Sequence, residues 1–183
     1  MDFTERPGSV LGDLREEDED GGEGGSIRYT TYPGEHTLAA IQALLALELS
    51  EPYSVWVYRY FLNQWPQYCL LAYAADEELV GVVMCKAEER ADGAVRRGYI
   101  GMLAVDPSMR RQGVGARLVR LALRQMLADR CTEVSLETET CNAAALRFYE
   151  RFGFVRSKLL LRYYSTGNDA YRLKLPIAAS PAK

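Results

Sequence analysis

Hydrophobic residues recur along the chain in blocks of strand and helix periodicity. Apolar runs bounded by turn residues predict strands over 27–32, 68–74, 79–87, 98–105, 133–138, 154–164 and 170–175. Segments with apolar residues three or four apart predict helices over 37–49, 53–65, 111–128 and 142–151. The order β α α β β β α β α β β predicts an α/β protein with a mixed central sheet of about seven strands and about four helices.

Local sequence signals set the predicted ends of these elements. Thr37 is expected to cap the first helix through its hydroxyl, and Pro66 is expected to stop the second. Ala91-Asp92-Gly93 predicts a hairpin turn, and Gly153 is expected to end the last helix. The predicted apolar face of the first helix consists of Leu38, Ile41, Leu45 and Leu49.

The two ends of the chain differ in composition from its centre. Residues 1–26 are acidic and glycine-rich, so they predict a disordered tail. Residues 27–177 are expected to form one compact domain, and residues 178–183 are expected to be a frayed end.

Composition narrows the classes of function. The chain has 183 residues, 48% of them hydrophobic, which suits one domain with a substantial core. A net charge of −3 argues against a nucleic-acid-binding protein, and the absence of a long apolar run argues against a membrane span. Without a secretory signal and with four scattered cysteines, the expected location is cytoplasmic. The single histidine, His36, argues against a histidine metal site or a histidine-dependent triad.

Residues 98–115 carry the clearest chemical signal. An apolar strand ends at Asp106-Pro107-Ser108, and the residues that follow lead into a helix: Arg110, Arg111, Gln112, Gly113, Val114, Gly115 and Ala116. Unpaired N–H groups at a helix N-terminus bind anions, and glycines let a phosphate approach the backbone. This order predicts a site for a ligand that carries a pyrophosphate. It is neither a Walker A loop nor a dinucleotide-binding fingerprint, because the required Gly-Lys-Ser/Thr or third glycine is absent.

The loop resembles the R/Q-x-x-G-x-G/A acyl-CoA motif of the GNAT superfamily of N-acetyltransferases. Four further segments are similar to the catalytic subunits of N-terminal acetyltransferase C (NatC): residues 49–66, 97–105, 136–149 and 162–173. The resemblance covers most of the predicted domain and leaves out the N-terminal tail. It implies a GNAT fold and acetyl-CoA as co-substrate, with no metal.

The resemblance also implies which residues hold the cofactor. Loop 110–116 would bind the pyrophosphate, and the backbone of Leu103, Ala104 and Val105 would pair with the pantetheine arm. Asn142 falls at a position that contacts the cofactor in the family. It is equally suited to cap the helix that follows it, and the two roles are compatible.

Three residues are candidates for the chemistry. Glu137 is the candidate general base, with Glu139 as the less favoured alternative, and its other interpretations are a solvated strand position or an ion pair. Tyr149 is the candidate general acid toward the departing CoA thiolate, which makes it a cofactor contact as well; its alternative role is aromatic packing. Tyr99 is a second tyrosine at a position that several N-terminal acetyltransferases use.

Acceptor recognition is expected from the loop at 49–53, from the predicted strand at 98–105 and from the last hairpin. The residues are Leu49, Glu51, Pro52, Tyr53, Tyr99, Met102, Tyr163 and Tyr164. The resemblance implies protein N-termini that begin with Met followed by a large hydrophobic residue. It also implies a large scaffold subunit, a small Sm-like subunit and association with the ribosome. Two alternatives stay open: a GNAT enzyme that acetylates a lysine or a small amine, and a CoA-binding subunit without activity.

Overall fold

The computed structural model describes residues 27–48, 53–89 and 96–177, which form seven strands and four α-helices. The strands are β1 (Arg28–Thr31), β2 (Cys69–Tyr73), β3 (Leu79–Glu89), β4 (Arg96–Val105), β5 (Cys131–Glu139), β6 (Val155–Leu160) and β7 (Ala170–Pro176). The helices are α1 (Leu38–Glu48), α2 (Val55–Gln64), α3 (Val114–Ala128) and α4 (Ala143–Arg151). The predicted order of elements is confirmed, and the predicted hairpin turn at 91–93 lies outside the described residues.

All seven strands join one sheet in the order β1-β2-β3-β4-β5-β7-β6. Every neighbouring pair is antiparallel except β4 and β5, which are parallel and connected through α3. A parallel pair needs such a crossover, because its second strand must start again at the same edge of the sheet. The mixed sheet is therefore the predicted one.

Helices cover both faces of the sheet. The helices α3 and α4 pack on one face around a cluster that includes Leu118, Leu123 and Leu136. The helices α1 and α2 pack on the other face, where Ile41 and Phe61 meet the sheet. The helix α3 is amphipathic because its buried positions recur three or four residues apart: Val114, Leu118, Val119, Ala122, Leu123 and Met126.

The strands β4 and β5 pair along the first half of their length and then diverge. They pair from Arg96 and Cys131 as far as Tyr99 and Ser135, and the register goes no further. Residues 100–105 stay paired with β3, and residues 136–139 stay paired with β7. The β3–β4 register moves from Cys85–Ile100 to Met84–Met102, so Gly101 is a bulge at the point of divergence. The backbone edges that face each other across this gap are free to pair with a ligand.

Two predicted helix starts are wrong. Thr37 does not cap α1, because its hydroxyl donates to the Gly34 carbonyl at 2.8 Å within a 3₁₀ turn, Glu35–Thr37. The helix α3 begins at Val114 rather than at Arg111. The φ angles of Arg111 and Gly113, 63° and 83°, are left-handed, so the chain enters the helical region only after them.

The predicted strand 154–164 is also too long. The strand β6 ends at Leu160, and the Arg162 N–H then donates to the Asp169 carboxylate at 2.7 Å instead of to a neighbouring strand. A φ of 49° at Arg162 turns the chain away from the extended conformation. Tyr163 and Tyr164 therefore lie in the β6–β7 connection and not in a strand.

The helix α4 ends as predicted. Gly153 has a φ of 87°, and its N–H donates to the Glu150 carbonyl while the Phe154 N–H donates to the Tyr149 carbonyl. These two bonds form a Schellman cap, for which glycine is the preferred residue. The cap fixes the end of the helix that carries Tyr149.

The cysteines of the described region are free thiols, and Cys69, Cys85 and Cys131 are buried while Cys141 is exposed. Burial raises the pKa of Cys69 to about 12 and that of Cys131 to about 11. In the part of the chain that the structure describes, no helix is long and apolar enough to cross a membrane.

Gly101→Ala is expected to destabilise the protein, because a Cβ at this position would lie 2.6 Å from the Cζ atom of Phe61. We expect the free energy of unfolding to fall by about 1–3 kcal/mol, measured by urea denaturation. The control is the same change in a Phe61→Leu background, which removes the ring atoms that the new methyl meets. An equal loss of stability in both backgrounds would show that the Phe61 contact is not the cause.

Candidate active site

A cleft opens where β4 and β5 diverge. It is bounded by residues 100–103 of β4 and 136–139 of β5, and we call it the first cleft. Its volume is ≈ 210 Å³. Seven sequence-predicted side chains or backbone positions line it: Tyr53, Met102, Leu103, Glu137, Asn142, Tyr149 and Tyr164. Residues from five separate segments of the chain thus meet at one place.

Glu137 occupies the strand position that alternation predicts. Its neighbours Leu136 and Thr138 are buried on the opposite face of β5. The Glu137 side chain is only 5% exposed, and its Oε1 atom lies 2.6 Å from Nε of Arg172. The Tyr99 hydroxyl donates a hydrogen bond to the same carboxylate. Of the interpretations left open by the sequence, the structure excludes a solvated strand position and includes an ion pair.

Tyr99 lies on the other side of Glu137 from the first cleft. It lines a second cleft of ≈ 620 Å³ on the α1/α2 face of the sheet, together with Tyr163 and Arg172. Burial and the Glu137 carboxylate raise the pKa of Tyr99, so its hydroxyl stays protonated. Among the described residues, Glu137 is the one that lines both clefts. Its carboxylate therefore stands at the boundary between two openings.

Tyr149 reaches the first cleft from α4. It is 7% exposed, and its ring makes edge contacts with Phe148 and Phe154 at centroid distances of 5.0 and 5.6 Å. Burial raises the pKa of Tyr149, so the phenol keeps its proton over the physiological range. The packing interpretation is confirmed, and the general-acid role stays a prediction for a residue that lines the cleft.

Asn142 stands at the start of α4 and also lines the first cleft. Its Oδ1 atom accepts a hydrogen bond from the Ala145 N–H at 3.0 Å, which is an N-cap. The capping role is confirmed, and it leaves the side-chain amide group available to a ligand. The cap also orients the helix that carries Tyr149.

The predicted cofactor loop lies at the N-terminus of α3. Gly113 precedes the helix with a φ of 83°, and nothing lies within 4 Å of the place a Cβ would occupy. Arg111 and Gln112 are exposed, and the Gln112 side chain donates to the Ser108 carbonyl at 3.1 Å. Val114 is buried, so only its backbone can face a ligand. The open approach and the unpaired N–H groups of the first helical turn fit a phosphate.

Two residues of the predicted cofactor-binding set, Arg110 and Ala104, have side chains that contact other parts of the protein. Arg110 forms an ion pair with Glu48, the last residue of α1, whose side chain is 13% exposed. Ala104 is buried against the α1/α2 cluster, so it offers only backbone atoms. Gly115 and Ala116 follow Val114 in the first turn of α3. Val105 and Ala116 pack partly on the α3/α4 cluster.

The acceptor candidates divide between the two clefts. Tyr53 and Tyr164 line the first cleft and Tyr163 lines the second, where it is 47% exposed. Burial raises the pKa of Tyr164. Met102 is only 4% exposed and forms part of the floor of the first cleft. Leu49, Glu51 and Pro52 lie outside the described residues.

Two residues that line the clefts, Glu48 and Arg172, were not predicted from the sequence. Glu48 lines the first cleft and pairs with Arg110, and its only sequence signal is its place just before residue 49. Arg172 belongs to the outward face of β7, whose buried positions Leu173 and Leu175 alternate with it and Lys174. Nothing local indicates that its partner is Glu137.

The less favoured base, Glu139, also lines the first cleft. Its Oε2 atom accepts from the Cys141 thiol at 3.3 Å, and its Oε1 atom is buried without a hydrogen-bond partner in the described part of the chain. His36 is exposed and takes no part in the site. Within the described ranges there is no group of three or more His, Cys, Asp or Glu residues that could hold a metal ion.

Comparison with known proteins places these features in a family context. Residues 38–154 match the model of the acetyltransferase (GNAT) family. The chain is 51% identical over 150 residues to N-alpha-acetyltransferase 30 of Xenopus laevis, a match that covers 82% of this chain and 54% of that protein. It is 45% identical over 153 residues to N-alpha-acetyltransferase 30 of Dictyostelium discoideum, covering 84% of this chain and 81% of that protein.

The chain thus spans about half the length of the frog relative. Among solved structures it is similar to a chain of the NatC complex bound to Gag peptide and CoA, with a TM-score of 0.79 and 41% identity. That match covers 83% of this chain and 99% of the other.

Gly113→Ala is expected to weaken CoA binding, because alanine at a φ of 83° strains the loop at the N-terminus of α3. Such a conformation costs an L-residue roughly 1–2 kcal/mol, so we expect the dissociation constant to rise about tenfold, measured by calorimetry. Gly167→Ala is the matched control, since Gly167 has a φ of 85° and equal open space but lies in the β6–β7 turn. A CoA affinity that both changes lower equally would contradict the assignment of the loop.

Proposed function

The chain belongs to the acetyltransferase (GNAT) family, and we propose that it transfers an acetyl group from acetyl-CoA to the α-amino group of protein N-termini. The proposed acceptors begin with Met followed by a large hydrophobic residue. The observation that carries the proposal is the carboxylate of Glu137, nearly buried at the boundary between two clefts in a gap between parallel strands. The similarity to N-alpha-acetyltransferase 30 over most of the described region supports it.

The co-substrate side of the site consists of the α3 N-terminus and the free edge of β4. Acetyl-CoA supplies a thioester whose acyl carbon accepts the amine. The N–H groups of residues 113–116 would hold its pyrophosphate, and the edge of residues 103–105 that faces β5 would hold its pantetheine arm. These residues orient the thioester and hold it near Glu137 and Tyr149.

Glu137 is the proposed general base. An α-amine has a reference pKa near 7.7–8 and a lysine near 10.4, so at neutral pH the α-amine is neutral roughly a few hundred times more often. A carboxylate is therefore a sufficient base for an N-terminus, directly or through water. The amine nitrogen bonds to the acyl carbon as its proton passes to Glu137.

Tyr149 is the proposed general acid, and Tyr99 holds the base. The carbon–sulfur bond breaks as the phenol of Tyr149 gives its proton to the leaving thiolate. Burial raises the pKa of Tyr149, so the phenol carries its proton when the reaction begins. Tyr99 keeps its own proton in a hydrogen bond to Glu137. Solvent returns both catalytic residues to their starting states.

The acceptor side is proposed to be partly aromatic. Tyr53 and Met102 would contact the apolar second residue, while Tyr163 and Tyr164 would hold the peptide backbone. Leu49, Glu51 and Pro52 are proposed to complete this side. A hydrophobic pocket discriminates by about 1–3 kcal/mol per methylene, so the preference among large second residues should be graded.

The proposed setting is a complex in the cytoplasm that acts on nascent chains at the ribosome. A large scaffold subunit and a small Sm-like subunit are the proposed partners. The similarity to a chain of the NatC complex supports this proposal. Leu47 and Trp56, 74% and 72% exposed, are large apolar side chains beside the acceptor region that a partner would cover.

The first test is acetyl transfer to two peptides that begin Met-Leu and Ser-Glu. We expect acetylation of the Met-Leu peptide only, because the proposed acceptor pocket is apolar, with the product identified by mass spectrometry. The control is the same Met-Leu peptide with a blocked N-terminus and an internal lysine. Acetylation of the blocked peptide would identify a lysine acetyltransferase instead, and bound CoA with no transfer would favour an inactive subunit.

Glu137→Gln and Tyr149→Phe are expected to reduce kcat by about 10²–10⁴-fold and 10²-fold respectively, because each removes a proton-transfer group. Steady-state kinetics at saturating peptide and acetyl-CoA would measure kcat for each variant. Both changes preserve shape, so the affinity for CoA should change less than threefold. If Glu137→Gln left kcat unchanged, Glu137 would not be the base, and Glu139 would become the candidate.

A further inference from the structure

The strand register places Arg172 directly opposite Glu137. The strands β5 and β7 pair Glu137 with Arg172, two positions from the pair Ser135 and Lys174. The Arg172 Nε atom donates to Oε1 of Glu137 at 2.6 Å. The Arg172 side chain is 39% exposed and lines the second cleft, so solvent can reach it while Glu137 is nearly buried.

A nearly buried carboxylate requires a fixed partner. Removing such a group from water is costly unless hydrogen bonds and an opposite charge replace its hydration. Tyr99 supplies one hydrogen bond, and Arg172 supplies a second hydrogen bond and the positive charge. Without Arg172 this nearly buried carboxylate would lose its opposite charge and one of its two hydrogen bonds.

We infer that Arg172 is a positioning residue for the general base: it offsets the charge of the nearly buried Glu137 carboxylate and fixes one of its oxygens through the catalytic cycle. This inference rests on the proposed function. Arg172 itself exchanges no proton, because a guanidinium stays protonated throughout. Its hydrogen bond to Oε1 leaves the other lone pairs of the carboxylate to receive the proton that the amine loses.

The other cations on this face are directed elsewhere. Lys174 lies 2.9 and 3.1 Å from the two carboxylate oxygens of Glu133, and Arg97 lies 3.8 Å from the same residue. Lys86 pairs with Glu88 at 3.0 Å. Arg172 is therefore the cation that the structure pairs with Glu137. The arrangement also offers a control, because Lys174 and Glu133 form a second ion pair between the same two strands, diagonal in register and with a more exposed carboxylate.

Several neighbouring elements bring other ionisable groups close to Glu137. They are Tyr99 from β4, Glu139 on its own strand, Tyr163 and Tyr164 from the β6–β7 connection, Tyr149 from α4, and Tyr53 and Glu48 on the α1/α2 side. The tyrosines with shifted pKa values, Tyr99, Tyr149 and Tyr164, all shift upward and stay neutral near pH 7. The two glutamates carry the same sign of charge as Glu137, which leaves Arg172 as the opposite charge paired with it.

The test compares the pH dependence of kcat in Arg172→Gln and Lys174→Gln. In Arg172→Gln we expect kcat at pH 7 to fall tenfold or more and its acidic limb to move up by about one pH unit or more. The KM for acetyl-CoA should stay within twofold. Lys174→Gln should leave the acidic limb in place. An equal loss at every pH in Arg172→Gln would indicate a purely structural role and overturn the inference.

Arg172→Lys separates charge from geometry. Lysine keeps the positive charge but has no planar fork of donors. We expect the acidic limb to stay within about half a pH unit of the original while kcat falls about threefold to tenfold. This variant also covers the case in which Arg172→Gln fails to fold, which thermal unfolding would reveal. An acidic limb in Arg172→Lys that moves by a full pH unit would contradict the inference.

A second measurement works whether or not the chain acetylates peptides. The ¹³C-carboxyl resonance of Glu137, assigned by its loss in Glu137→Gln, is titrated in the original chain and in both glutamine variants. We expect its midpoint to rise by about one pH unit or more in Arg172→Gln and to stay unchanged in Lys174→Gln. An unchanged midpoint in Arg172→Gln overturns the inference, whereas absent peptide acetylation with a shifted midpoint overturns only the proposed function.

Discussion

The site depends on the divergence of two parallel strands. Beyond Tyr99 and Ser135, β4 and β5 no longer hydrogen-bond to each other, although each keeps its antiparallel neighbour on the other side. Backbone groups that face such a gap require partners, so an extended ligand can pair with them as a strand would. The bulge at Gly101 lies at the point of divergence, where the Phe61 ring leaves no room for a side chain. The packing of α2 on the sheet and the opening of the cleft therefore both depend on Gly101.

The gap also determines how charged and polar groups are arranged around the proposed reaction. Glu137 projects from β5 to the boundary between the two clefts, where little water reaches it, and cross-strand partners replace its hydration. Tyr149 approaches from α4, held by the Asn142 cap at one end of that helix and the Gly153 cap at the other. The proposed base thus comes from a strand and the proposed acid from a helix, and both line the first cleft. Rigid elements hold both, as acid–base catalysis requires.

Local sequence signals were reliable where a short-range rule decides the structure. The 3.6-residue period of α3, the cap at Asn142 and the left-handed glycine at Gly153 were all predictable, because each depends on residues within one or two turns. The signals failed where a competing hydrogen bond to a residue three or seven positions away replaced the predicted one. Thr37 donates back to Gly34 in a 3₁₀ turn, and the β6 strand stops at Leu160 because Asp169 captures the Arg162 N–H.

The sequence by itself determined the order of elements, the mixed sheet and the position of a glycine-containing loop before α3, because hydrophobic period and glycine position are local properties. Together with the family resemblance, it also singled out Glu137 and Tyr149 as candidates. Only the tertiary structure decided that β4 and β5 separate, that Glu137 joins two clefts and that Arg172 and Glu48 belong to the site. The pairing of Arg172 with Glu137 depends on strand register, and the place of Glu48 depends on where α1 ends against the loop that holds Arg110. Both are decided by packing between segments far apart in the chain.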